Sequence, residues 1–565
     1  MAGPKSIAPA DFKVLDDHLA ELKAARMLRE QEWQLIADVF LPRKDFTLPQ
    51  RPTELRKRRL TSSVPAIALR RGAGLLSAFM ISHTQPFIKA NVARGLVASG
   101  RSNDLDDASR DYLSDVEWAV FDRMMLPQSG FLTALPRLSM ELYAFGSGVL
   151  WTGRKRGFGP RYQTRPLRAC WFSENEDGEV DTLFFQFTLP IFRAVERWPD
   201  HGVEAWTRAM SDNNPAKRRE HVTVVHGVYP RPGGRVGAEG RAKPFAEVYF
   251  CISEKKILSE WGYDSFPFAV PRLDPEEGSA YGTGLAWWVL PEALVLNALQ
   301  QGVENAVELK NNPPLLAPLR LFGKPLDRRA GALNYYDGSK LGFQSARDGI
   351  QRLDIAGDVT LAAGWLERME RNIEAAFFID WMRLRESGNM TAEEVRARTD
   401  MRIRAMSSFV PGVDRDLMGP TADRTLEVMN AEAQLPRPPE QLGGVDVDWD
   451  YNGPLAIAQL KTQADGVLQT FEAALRAKEL DPISPYVIAV EEGLRAVAEA
   501  YALPPEAVRS REAVAAERER QRMAQEVAQN AELMQMAAGA MRDGGQGVAS
   551  LTAAAAAGAP QGMAA

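Results

Sequence analysis

Between Pro291 and Leu384 the apolar positions fall into two helical stripes, separated by an excursion that follows neither helical nor strand period. In the first stripe Leu296, Leu299, Val303 and Ala306 recur at three- and four-residue spacing, while Asn297, Gln301, Glu304 and Glu308 hold another face. That pattern predicts a helix with one packed and one solvated side. Pro291 is expected to open it, because a first helical position needs no amide donor, and Asn311-Asn312-Pro313-Pro314 to close it. The second stripe, Leu361, Trp365, Met369, Ile373, Phe377 and Trp381, predicts a helix from about Val359 to Leu384, with Glu367, Glu370, Arg371 and Glu374 off that line. The excursion over residues 313–358 is too long for an ordinary structureless connection. Leu315-Leu316 and Tyr335-Tyr336 predict short strands within it, and Lys324, Arg328 and Arg329 an exposed basic edge. After the second helix comes Arg385-Glu386-Ser387-Gly388-Asn389-Met390, and then Thr391-Ala392-Glu393-Glu394, a capping box that restarts a helix by satisfying its free amides.

The flanking chain is patterned as well. Leu15, Leu19, Leu22, Met27 and Trp33 predict a helix from Asp11 to about Phe40, ended by Leu41-Pro42, and further helices are expected over Val64–Ser82, Leu105–Met125 and Gly130–Ala144. An extended segment is expected around Phe87–Val92 and a strand over Val149–Thr152. Partial alternation and β-branching predict strands from Arg168 to Phe187 and from His221 to Trp261. The helix that starts at Thr391 meets Pro411-Gly412 and Gly419-Pro420, each of which interrupts helical bonding, so it is expected to be kinked or broken. A strand is expected over Gly444–Tyr451, then helices over Leu455–Lys478, Pro485–Tyr501 and Pro505 to about Met541, before a Gly-, Ala- and Gln-rich tail of low complexity.

Five motifs in this order and spacing resemble the head-to-tail connector, or portal, proteins of short-tailed bacteriophages. They are Tyr143-Ala144-Phe145-Gly146-Ser147-Gly148, the acidic run Phe172 to Thr182, Pro267-Phe268 through Tyr281-Gly282-Thr283-Gly284, Asn312-Pro313-Pro314-Leu315-Leu316, and Thr391-Ala392-Glu393-Glu394-Val395. The resemblance runs from the Trp33 region to about residue 500. It implies an α+β portal-type fold assembled as a dodecameric ring around a DNA channel, with long stem helices, a small clip, an α/β wing and a helical crown. Mapped on this chain, residues 1–282 are the N-terminal wing, 283–312 the first stem helix, 313–358 the clip and 359–384 the second stem helix. Residues 385–390 become the channel loop, 391–454 the wing continuation with its kinked helix and returning strand, 455–541 the crown and 542–565 the tail. The resemblance further implies that Arg385, Glu386, Gly388, Asn389 and Met390 meet passing double-stranded DNA. In the same way Glu367, Glu370, Arg371 and Glu374 become candidates to face the channel, and Lys324, Arg328 and Arg329 candidates to meet a packaging motor or tail adaptor. Implied partners are further copies of the chain, the terminase motor, a tail adaptor, and the major capsid and scaffolding proteins. The implied location is the virion portal vertex, after synthesis in the host bacterial cytoplasm. Taken without the resemblance, residues 385–390 read as an ordinary surface turn.

Composition and charge narrow the chemistry. With 565 residues, 45% of them hydrophobic, the chain supports several cores of ordinary size. No apolar run reaches 18 residues and the first residues lack the apolar core of a signal peptide, so no membrane passage is expected. Cys170 and Cys251 are the two cysteines, expected to be reduced, buried thiols. A net charge of −6 argues against a broad grip on nucleic acid, which needs many Lys and Arg contacts to phosphate; a channel through which DNA slides has the opposite requirement. The cluster Arg56-Lys57-Arg58-Arg59 fits a solvated or subunit-contact segment better than a nucleic-acid contact. Metal chemistry finds no support. His221 and His226 would point to opposite faces of a strand. The acidic run fails as a calcium loop, because with Gly178 in the sixth place the twelfth is Phe184; it reads instead as a hairpin turn. No nucleotide loop and no nucleophile elbow is present, so neither enzyme activity nor a cofactor is expected. Two alternatives to a portal remain open at this point: another virion ring such as a tail adaptor, and a soluble enzyme with an unrecognised site.

Overall fold

A computed structural model describes residues 10–42, 44, 46, 60–83, 85–92, 107–200, 202–316, 327, 329, 331–334, 351–352, 359–379, 412, 414–439, 442, 447–451, 454–477, 489–501, 503, 507–509, 513–528 and 530–531. The chain forms two units, residues 1–101 with 112–459, and residues 102–111 with 460–565.

The first unit opens with α1 (Phe12–Phe40), whose N-cap Asp11 accepts a bond from the Lys13 amide, as the polar-to-apolar switch there predicts. It continues through α2 (Val64–Met80), β1 (Ile88–Val92), α3 (Asp107–Met125) and α4 (Phe131–Phe145). Next come β2 (Val149–Lys155), β3 (Gly159–Arg165), β4 (Cys170–Glu174) and β5 (Val180–Pro190). Three short helices follow, α5 (Ile191–Arg197), α6 (Glu204–Ser211) and α7 (Pro215–Arg218), and then β6 (His221–Pro230), β7 (Phe245–Cys251), β8 (Lys256–Tyr263) and β9 (Phe268–Ala269).

Strands β4 to β8 pair in chain order as a five-stranded antiparallel sheet. Because side chains alternate across a strand, consecutive residues feed two different cores. Val225, Phe184 and Phe250 pack with Leu15, Leu19 and Leu22 of α1 on one face. Val224 and Cys251 pack with Ile191, Trp198 and Trp206 of α5 and α6 on the other. Both cysteines are free and buried. His226 is buried and His221 exposed, on opposite faces as strand alternation requires. A second, three-stranded sheet has the order β3-β2-β9.

The long central helix α8 (Leu285–Asn311) starts six residues before the expected Pro291, at N-cap Gly284. Pro291 therefore lies inside it, where the Trp287 carbonyl loses its usual amide partner; the proline is exposed, so water reaches that carbonyl. The excursion beyond α8 holds β10 (Leu315–Leu316), paired in parallel with β11 (Leu333–Asn334) and antiparallel with β12 (Gln351–Arg352). The second expected strand thus lies at Leu333–Asn334, just before Tyr335-Tyr336, which fall outside the described residues.

Helix α9 (Val359–Ala376) packs along α8 and stops eight residues short of Leu384. It stops because Phe377 is buried in the main core and Phe378 takes a left-handed φ of 61°. Trp365, expected in the apolar stripe, is 54% exposed. Four-residue steps drift by about 40° each on a helix of 3.6 residues per turn, which carries Trp365 off the line of Met369, Ile373 and Phe377.

The restarted helix expected from Thr391 lies outside the described residues as far as 411. A π-helical turn at Asp414–Met418 runs directly into α10 (Gly419–Ala431), with Pro420 in the first turn rather than breaking it. Strand β13 (Val447–Tyr451) pairs with β1 and not with the five-stranded sheet. In the second unit, α11 (Pro454–Ala477) meets α12 (Val490–Ala500), with Phe471 and Val467 against Gly493. A helical stretch over 513–528 follows, tied by Arg518 to Glu491 at 2.7 Å. The remainder of the expected C-terminal helix, to Met541, and the tail after it lie outside the described residues.

Candidate functional site

Two of the five motifs meet backbone to backbone at the root of α8. Gly146, the left-handed C-cap of α4 (φ 77°), lies so close to Gly282 and Thr283 that a Cβ there would collide with their backbone. Gly282 faces the Leu273 and Gly146 carbonyls, and Gly284 faces Ala144. Glycine is required where backbones approach this closely. Hydrogen bonds join the strands of the knot: Leu273 N to Gly146 O at 2.8 Å, Thr283 N to Leu273 O at 2.8 Å, and Gly282 N to Ser147 Oγ at 2.9 Å. From α1, Arg29 pairs with Glu276, which also accepts from Thr283 Oγ1 at 2.7 Å. Glu276 is held below the usual carboxylate range by that hydroxyl and by Arg29. Rings of Trp33, Phe46, Phe145 and Tyr281 pack behind the knot at 4.6–6.1 Å between centroids. Burial there pushes the Tyr281 hydroxyl up to about 12.

The end of α9 returns to the same base. Phe377, fully buried, packs its ring on Phe40 and Tyr143, while its Cβ and carbonyl press on Gly72 of α2. Arg272 joins a third arm: it donates to Glu174 Oε2 at 2.6 Å and to the Gly178 carbonyl at 2.5 Å, and reaches Asp416 of the π-helical turn at 3.5 Å. The acidic run is thereby a hairpin turn, with Glu174 paired and its tip solvated.

Both long helices therefore rise from one rigid base and carry a small sheet beyond the end of α8. Their surface is acidic: Glu292, Glu304 and Glu308 oppose one Lys310 on α8, while Glu367, Glu370 and Glu374 oppose Arg368 and Arg371 on α9. Of the four stem candidates, Glu367 and Arg371 are exposed and 3.8 Å apart, and Glu370 and Glu374 are half-buried. Of the three basic candidates, Lys324 and Arg328 lie outside the described residues. Arg329 is exposed but forks onto Asp327, at 3.0 and 2.5 Å, and pulls that carboxyl down to about 2. Arg385, Glu386, Gly388, Asn389 and Met390 also fall outside the described residues. Sequence patterning does not single out Gly72 or Arg272, and it marks Phe377 only as part of the apolar stripe of the second helix. Among the described residues no group of three or more His, Cys, Asp or Glu converges as a metal site, and no helix is long and apolar enough to cross a membrane.

A paired helical stalk thus stands on a glycine-knotted base, with a small sheet beyond the end of α8. The family described as bacteriophage head to tail connecting protein matches residues 13–509, and the chain belongs to it. It is 24% identical over 459 residues to the probable portal protein of Bordetella phage BPP-1, covering 79% of this chain and 80% of that one. It is likewise 24% identical over 531 residues to the portal protein of Salmonella phage epsilon15, covering 87% and 91%.

Proposed function

We propose that this chain is the portal subunit of its phage: a closed ring, a dodecamer, at one capsid vertex, through which the genome enters and leaves and on which the packaging motor and tail assemble. The observation that carries the reading is the pair α8 and α9 seated on one knotted base, in a chain that matches the connector family over residues 13–509. In this reading residues 283–312 and 359–384 are the stem, 313–358 the clip that meets terminase and tail adaptor, and 455–541 the crown. The wing comprises 1–282 and 391–454 and faces capsid and scaffolding proteins.

Residues 385–390 are the channel loop, starting a few positions after the Phe377 anchor. One Arg385 per copy makes a belt of positive charge that attracts phosphate without reading bases, and Glu386 limits its hold. The acidic stem suits sliding for the same reason. No catalytic step is assigned to the chain; energy for packaging belongs to the motor. Gold-labelled antibody against the chain should mark intact virions at a single vertex. Label spread over the whole capsid, or none on disrupted particles, would reject the assignment.

A further inference from the structure

Two arginines on the α5 side of the five-stranded sheet are cradled by rings and lack carboxylate partners. Arg165, the last residue of β3, lies between Trp151 and Phe185, its guanidinium carbon 4.6 Å from each ring centre. Arg197, at the end of α5, sits over Tyr249 at 4.9 Å and Phe187 at 5.8 Å. Phe185 and Phe187 stack at 5.4 Å, so the two cations share one aromatic floor. Among the described residues neither guanidinium forms an ion pair, and Nε of Arg165 is buried without a hydrogen-bond acceptor. Burial depresses the Arg165 pKa, the mark of a cation whose desolvation is not offset.

The tip of the β4–β5 hairpin, whose second strand supplies Phe185 and Phe187, carries the opposite charge. Glu176, Asp177 and Glu179 are exposed at the β4–β5 tip. The tip is rigid: Asn175 Oδ1 accepts from the amides of Asp177 and Glu179 at 2.9 Å each, and Arg272 holds the Gly178 carbonyl. Arg415 feels Glu179 but engages Asp416 at 2.8 Å. Along β5, six residues separate Glu179 from Phe185, about 20 Å of strand. The tip therefore cannot fold back on the arginines of its own subunit. Cations seated on the rings of β5 and carboxylates at its turn, well separated on one subunit, suit a heterologous contact, in which one face of a copy meets a different face of the next.

We propose that Arg165 and Arg197 form an interface site that takes carboxylates of the Glu176–Asp177–Glu179 tip of an adjacent copy. Arginine on aromatic rings is the composition that dominates protein–protein binding energy, and the contact repeats at every subunit boundary. The proposal rests on the ring reading and names where part of its closure lies.

The test measures, by mass photometry on the full chain at low salt, the protein concentration at half-maximal ring assembly. Arg197→Glu, Arg165→Met and the double change Glu176→Lys with Asp177→Lys should each raise it roughly tenfold or more, as close interfacial charge pairs do. Arg165→Met keeps the packing between Trp151 and Phe185 if a charged substitution there fails to fold. Combining Arg197→Glu with the two lysines should restore assembly to within a few-fold of wild type. Variants that assemble at the wild-type concentration, or a combination worse than either parent, would overturn the site while leaving the ring intact. A wild-type chain that stays monomeric would overturn both.

Discussion

Replacing Gly146 by alanine tests the knot at the stem root most sharply. The residue takes φ 77°, and an added Cβ would run into the Gly282–Thr283 backbone. The left-handed conformation costs an L-residue about 1–2 kcal/mol. Forcing apart packed backbone adds about 1–3 kcal/mol, the usual range for overpacking, so the total is about 2–5 kcal/mol. Gly157 separates the two terms, since it has φ 73° with nothing within 4 Å of its would-be Cβ. Gly157→Ala should therefore cost only the conformational part. The assay is denaturant unfolding followed by tryptophan fluorescence, with ring mass measured in parallel because α8 springs from the knot. Gly146→Ala should unfold at clearly lower denaturant than Gly157→Ala. Equal midpoints would mean that the close approach of the two motifs contributes nothing, and the account of why glycine stands at these positions would be wrong.

Phe377→Ala should cost about 3–5 kcal/mol as a fully buried aromatic deletion, and it should speed proteolysis after residue 377 more than a matched core deletion in the five-stranded sheet, such as Phe250→Ala; equal cleavage would deny the anchor. His226, 3.2 Å from Glu247 and stacked on Tyr249, has its pKa lowered first by burial. The unfolded chain then binds more protons below about pH 6.5, so stability should be level above that pH and fall as pH drops toward the folded value. Burial pushes Glu247 up, but bonds from His226, Tyr263 and Tyr249 outweigh it and leave it below its ordinary value, so a second loss follows in the carboxylate range. His226→Gln should remove the first loss and leave the second, as read from melting temperature at pH 7.5, 6, 5 and 3.5. Arg385→Ala with Asn389→Ala should leave rings intact while changing packaging or genome retention, measured as packaged DNA per particle; parental values would dismiss the loop's gating role.

Much of this architecture is legible in residue patterns where one face dominates. The Leu15–Leu19–Leu22 stripe marks α1, and the valines of β6 mark a strand between two cores. Pro291 misleads because a first-turn proline and an exposed interior proline look alike in sequence. Helices α5 to α7 and strand β3 escape notice because four to eight residues carry too few periods, and Gly159–Arg165 alternates only weakly. The glycine motifs are visible as motifs, yet their reason lies in a collision between segments about 135 residues apart, Ser147 with Gly282. Arg272 and Phe377 are anchors only through partners distant in sequence. Periodicity reports the face a residue shows, not the partner it meets.

The central claim is closure into a ring, and native mass spectrometry of the purified full chain measures it most directly. Twelve copies of the 62.5 kDa chain predict a dominant species of about 750 kDa that persists on dilution. A ladder of open oligomers that grows with concentration, or a species at 62.5 kDa alone across salt and concentration, would contradict it.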